Sequence, residues 1–159
     1  MNETTDQLNF PEEDSKRQKL EKLELRYNKL YEWAKDQEFV TVFRAEGDQN
    51  WKTDRSLSPQ LVGTWYTDRY AMIESRYKPE IERASGKPAQ VFALIIPKSS
   101  LDAREAIDKG MWQINVLNPE LLSGRQKIND PSEATEPNLE NYLDQFPFVK
   151  EYRKLKGEI

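Results

Sequence analysis

The sequence predicts an α+β domain, with a small mixed or antiparallel β core between an N-terminal amphipathic helix and C-terminal helices. Three observations predict it. Apolar residues recur at helical 3/4 spacing from Leu20 to Ala34. Two apolar runs, at 39–45 and 91–96, have strand length, β-branched and aromatic residues, and turn residues at their ends. Apolar residues then return at helical spacing between Leu139 and Tyr152.

Taken in order, residues 1–11 show no periodicity and are expected to form a flexible N-terminus, with a single domain over 12–159. The first helix is expected over 12–36. Leu20, Leu23, Tyr27, Leu30 and Ala34 form its apolar stripe, and Lys, Arg and Glu fill the remaining positions. A stripe of this length, under three heptads, suits packing on its own domain. A coiled-coil dimer is the alternative. In EFVTVFRA both alternating faces are largely apolar, as in a strand buried on both sides. A 17-residue loop follows, GDQNWKTDRSLSPQLVG, a length uncommon inside a compact domain and often functional. TWYT reads as a short β segment. Asp68 then caps a helix over about 69–77 that presents Ala71 and Ile73. Lys78-Pro79 and Ser85-Gly86-Lys87-Pro88 bracket a polar connection before QVFALIIP, the clearest strand of the chain. Residues 100–109 read as a short helix or turn ending at Gly110, and MWQINVLN as a strand stopped by Asn118-Pro119. The segment after Gly124 is polar and loop-like. Helices are expected at about 139–145 and 148–156.

Composition bounds the chemistry. The 159 residues amount to about one domain. With 33% charged residues and a mean hydropathy of -0.91, one modest core is expected. Lys and Arg number 24 against 28 Asp and Glu, a net charge of -4, which gives no strong footprint for a nucleic-acid backbone and leaves a local patch open. No apolar run approaches the roughly 18 residues of a membrane span. The polar, acidic start is no signal peptide, so a cytoplasmic location, bacterial or host, is the expectation. There is no Cys and no His. Thiolate nucleophiles, Ser-His-Asp triads and the usual catalytic zinc sets are thereby excluded. Chemistry must run on carboxylates, amides, hydroxyls, aromatics, Arg and Lys. Cleavage of a glycosidic bond through an oxocarbenium-like state is compatible with that set.

Two motifs carry a sharper expectation. Arg44 lies near the end of the first strand, where it either pairs with Glu46 at the sheet edge or anchors a phosphate through its bidentate guanidinium. In GTWYTDRYAMIESRY, Gly63 permits close approach, Trp65 and Tyr66 place aromatic surface, and Thr67 adds a hydroxyl. The bland reading is a core aromatic pair at a strand-to-helix corner. The functional one is a ring stacked on a flat ligand.

Together these motifs resemble ADP-ribosyltransferase-like domains of bacterial toxins and phage proteins. There an Arg-bearing strand precedes a pattern of the form Gly-x-Tyr-Phe-Thr-x-x-x-x-Ala-x-x-Tyr. Here it stands as Gly63, Trp65, Tyr66 and Thr67, with Ala71 and Tyr77 less regularly spaced. VFALIIP resembles the family's next strand. MWQINVLNPELL resembles its third, of the form Glu-Tyr-Val-Val-Phe-Asp-Pro, and Gln113 falls where that family has Glu. The resemblance covers about 85 residues within an NAD-binding-like core at 38–122.

What the resemblance implies is a mono-ADP-ribosyltransferase, a bacterial effector or phage-borne modifier, moving ADP-ribose from NAD to a macromolecular target. Arg44 would hold the NAD phosphates, Tyr66 would stack on nicotinamide, and Thr67 would support the pocket beside Gly63 and Trp65. Gln113 would meet the ribose, and Trp51 in the long loop would lie against adenine, with Arg55 nearby. The alternative is a non-catalytic domain of the same type that acts by binding a partner, as monomer or dimer. An unrelated α+β interaction protein is a third reading. Gln113 is the departure. An amide lacks the full charge that, at about 4 Å and an effective dielectric near 20, is worth roughly 4 kcal/mol to an oxocarbenium. That corresponds to about a thousandfold in rate. Glu105 and Glu120 are the carboxylates that would substitute.

Overall fold

The computed structural model describes residues 2–47, 65–102, 112–114 and 120–158. Helices α1 (Asn2–Ala34), α2 (Tyr70–Met72), α3 (Lys78–Ser85), α4 (Glu120–Ser123), α5 (Leu139–Asp144) and α6 (Pro147–Glu158) surround strands β1 (Phe39–Glu46), β2 (Trp65–Tyr66), β3 (Gln90–Pro97), β4 (Leu101–Asp102), β5 (Trp112–Ile114) and β6 (Gln126–Ile128). The chain is therefore a mixed α+β fold. The strands form two antiparallel sheets of three, in the orders β1-β3-β6 and β2-β5-β4. A bridge between Phe43 and Thr67 joins them, with N···O distances of 2.7 and 2.9 Å.

β1 and β3 pair along their whole length, from Phe39 opposite Pro97 to Glu46 opposite Gln90. Their two faces serve two cores. On one face Val42, Leu94 and Ile96 meet Tyr66, Leu121, Tyr142, Leu143, Phe146 and Val149, and the Leu23, Tyr27 and Leu30 stripe of α1 packs against them. The periodic face of α1 is thus spent on its own domain. α6 runs antiparallel beside it, with Tyr27 stacked on Tyr152 at 4.9 Å and the Arg26 guanidinium over Phe148 at 4.0 Å. On the other face Phe43, Ala45, Val91, Ala93 and Ile128 receive Ile73, Tyr70 and Ile81.

Several expectations are corrected. α1 begins at Asn2, ahead of the start expected at about 12. The helix after β2 does not stop at Lys78-Pro79. A π-turn at Ile73–Tyr77 leads directly into α3, and wide i→i+5 bonding is how a helix accommodates Pro79, which has no N–H to give. α3 ends at Gly86, whose φ of 70° needs no Cβ. The N-cap of α2 is Arg69 rather than Asp68. The Thr67 hydroxyl accepts from the Arg69 N–H at 3.1 Å. The stretch after Gly124 is not all loop, since β6 adds a strand to β3. Of the 100–109 segment, Ser100 ends a 3-10 turn and 101–102 form β4; 103–110 lie outside the described residues.

Asn138 caps α5, its Oδ1 accepting from Asn141 N at 2.8 Å. That helix buries Tyr142 against Phe39 at 4.9 Å and Phe146 at 5.3 Å. Burial pushes the Tyr142 phenol up to about 12 from an ordinary 10.0. The neutral phenol is therefore favoured in the folded state. Its contribution is fully present below pH 10 and is lost as pH rises towards 12. Denaturant midpoints measured between pH 9 and 12 should fall across that window, and fall less in Tyr142→Phe; equal slopes in the two proteins would refute the assignment.

Candidate functional site

The alternation of β1 puts Val40, Val42, Arg44 and Glu46 on one face. Val40 and Val42 lie under the helices, and the two charged residues continue past the helical cover. Opposite Arg44 in β3 stands Phe92, and opposite Phe92 in β6 stands Lys127. The apolar face of the sheet thus ends in a charged patch.

At its centre is Glu46, buried to 4% exposure. Two guanidiniums meet it on one oxygen. Arg44 Nε donates to Glu46 Oε2 at 3.2 Å, and Arg125 Nη1 donates to the same Oε2. Arg125 Nη1 also donates to the Tyr66 hydroxyl at 3.2 Å, and its guanidinium lies over Phe92 at 4.3 Å. Burial works against the charge on Arg125, but the bonds to Glu46 and Tyr66 outweigh it and raise its pKa. Burial pushes the Tyr66 phenol up while Arg125 pulls it down, and the net direction is up, so the hydroxyl stays neutral.

Arg44 and Tyr66, drawn from two separate motifs, therefore meet in one cluster through Glu46 and Arg125. Backbone pairing brings a third motif alongside, because Trp65 stands opposite Gln113 in the β2–β5 pair. The side chains of Trp65 and Gln113 lie outside the described residues, as do Trp51, Arg55, Gly63 and Glu105 entirely. Two expected roles look different in the structure. The Tyr66 ring is fully buried in the helix-side core, so it presents no open face for stacking. The Thr67 hydroxyl is engaged by the backbone of Arg69. Of the two reserve carboxylates, Glu120 is held by Arg26 of α1. Ala71 is exposed and Tyr77 packs against the second core.

Arg125 is the site residue that sequence reasoning missed. It lies in a segment that reads as polar loop, with no neighbouring motif to single it out. Only the pairing of β6 with β3 brings it beside β1. A concavity of about 400 Å³ opens away from this cluster, between Tyr27, Tyr31, Leu139 and Leu143. Its cation, Arg153, is paired with Asp144 and Glu140, which leaves it little charge for a ligand. Among the described residues no group of acidic residues could hold a metal ion, and no helix is long and apolar enough to cross a membrane.

No family model, curated protein or solved structure matches the chain.

Proposed function

We propose that this chain binds NAD in the manner of an ADP-ribosyltransferase-type domain and transfers its ADP-ribose to a macromolecular target. The observation that supports the reading is the meeting of Arg44 with Tyr66 in one charged cluster, beside the strand pair that contains Gln113. Guanidiniums recognise phosphate oxygens in a planar, bidentate fashion, so Arg44 would hold the diphosphate. Cleavage of the nicotinamide–ribose bond needs charge stabilisation more than proton transfer, which a chain without His can supply. The resemblance of the motifs around Arg44, Tyr66 and Gln113 supplies the identity of the dinucleotide.

A second reading is favoured by two observations. Gln113 offers an amide where a carboxylate would stabilise the oxocarbenium, and the Tyr66 ring is closed off by the core. On that reading the domain binds its ligand without turnover and acts on a partner. One experiment separates the two. Incubation with labelled NAD and a cell lysate should label a target, and Arg44→Ala should reduce labelling by about a hundredfold or more. Thermal stabilisation by NAD without labelling, with labelling gained in Gln113→Glu, would select the binding protein. Neither stabilisation nor labelling would end both readings.

A further inference from the structure

The concavity between α1, α5 and α6 lies apart from the Arg44 cluster, and neither reading above has a use for it. One wall is aromatic. Tyr27 and Tyr31 stand one helical turn apart on α1, with ring centroids 6.1 Å apart and planes within 24° of parallel. Rings at that spacing slip past each other and leave each other's faces uncovered. Tyr27 is fixed by the Tyr152 ring stacked on it at 4.9 Å, and Tyr31 keeps 38% of its surface exposed. Leu139 and Leu143, one turn apart on α5, add aliphatic surface to the same cavity. A volume of about 400 Å³ falls in the range of small-molecule sites.

The polar groups that line the cavity are mixed in kind. Asn138 gives its Oδ1 to the Asn141 N–H as the cap of α5, and its NH2 remains a donor. Glu140 is an acceptor whose side chain is 78% exposed. It lies 3.9 Å from Arg153, an ion pair beyond hydrogen-bond length, so its oxygens keep lone pairs for a ligand. Arg153 is held by Asp144 as well, and an anionic ligand would have to displace both carboxylates to reach it. That sets nucleotides and acidic peptides aside. A cationic ligand would suit Glu140 but would turn its own donors on the Asn138 donor. The lining asks for a neutral ligand with an apolar face for the rings and a rim of groups that donate and accept at once. A hydroxyl does both. A pyranose ring has a face of C–H groups and an equatorial rim of hydroxyls.

We propose that this cavity is a saccharide site, in which one pyranose ring lays its C–H face on Tyr31 and bonds through its hydroxyls to Glu140 and the Asn138 amide. Tyr31 supplies the stacking surface, and the two polar side chains fix the orientation of the ring. Arg153 stays with its carboxylates and keeps Glu140 ionised beside the ligand. The site is independent of the NAD reading and gives the chain a second recognition surface.

The test is saturation-transfer NMR and titration calorimetry of the full chain with cellobiose, lactose, maltose and chitobiose, and with adenosine as a flat, neutral comparator. At least one disaccharide should bind, with a Kd of about 1 mM or tighter. Tyr31→Ala should weaken that binding about tenfold and Glu140→Ala by a similar factor, while Tyr31→Trp should retain it. Both side chains are exposed, so the variants should melt with the parent. If Tyr31→Ala melts early, Glu140→Ala decides. Binding of none of the four disaccharides overturns the proposal. So does binding that survives Tyr31→Ala and Glu140→Ala, which would place the sugar elsewhere. Adenosine bound as tightly as the best disaccharide overturns it too, because the cavity would then be an aromatic shelf without a preference for hydroxyls. Saccharide binding by a protein that ignores NAD would sustain this site while the NAD reading fails, and NAD binding without it would do the reverse.

Discussion

Replacing Gly124 with alanine is expected to destabilise the fold by about 3 kcal/mol or more, roughly 6–12 °C in Tm for a chain of this length. Gly124 sits between α4 and β6. A Cβ placed there would penetrate the backbone carbonyl of Gln145, at the C-terminal end of α5. The obstacle is main chain, so no rotamer change relieves it, and either α5 or the start of β6 must move. The demand is for space rather than for an unusual φ, since among the described glycines only Gly86 has a positive φ. Thermal unfolding followed by circular dichroism checks the value. A loss below about 1 kcal/mol would mean that α5 is not seated on this turn. The same displacement would shift Arg125, the next residue, and with it the contact to Glu46.

Gln145→Ala should cost about 3 kcal/mol by a separate route. β6 pairs with Val91, Phe92 and Ala93 only, which leaves the β3 backbone at Ile95 beyond the end of its neighbour. Gln145 completes the ladder with a side chain. Its Oε1 accepts from Ile95 N at 2.7 Å and its Nε2 donates to Ile95 O at 2.8 Å. Ile95 is 2% exposed, so both groups would be left buried without partners. Urea titration gives the measurement. Gln145→Glu should be as damaging as alanine, because a carboxylate keeps the acceptor, loses the donor and faces the Ile95 carbonyl. A glutamate variant as stable as the parent would show that the amide's two bonds contribute nothing.

These two residues illustrate what the sequence conveyed and what it withheld. The stripe of Leu23, Tyr27 and Leu30 and the strands at 39–46 and 90–97 were legible because burial imposes a period on neighbouring residues. β6 was not legible. QKI alternates over three residues only, and its pairing depends on Gly124 reaching across to α5. The π-turn was hidden for a related reason, since Pro79 normally ends a helix and only the wide preceding turn lets it continue. In the site, Arg44 and Tyr66 were found through local pattern. Arg125 was not, because its role arises from a contact 79 residues away in sequence, with Glu46. The burial of Tyr66 was also out of reach. An aromatic residue after glycine reads the same whether its ring faces a ligand or the Leu94 side of a core.

The bridge between Phe43 and Thr67 has a mechanical consequence. It is the pair that ties the two sheets together among the described residues. Arg44 follows Phe43 and Tyr66 precedes Thr67, so two members of the cluster adjoin the tie. In any rotation of one rigid body against another, displacement grows with distance from the pivot. β4 follows β3 through the three residues of the Lys98–Ser100 turn, so the far side of the β2-β5-β4 sheet is tethered as well, and a tilt that both ties permit leaves Arg44 and Tyr66 almost where they were. The second sheet is pinned on both sides, and the charged cluster lies beside the first pin, so its geometry should hold when the rest of that sheet strains.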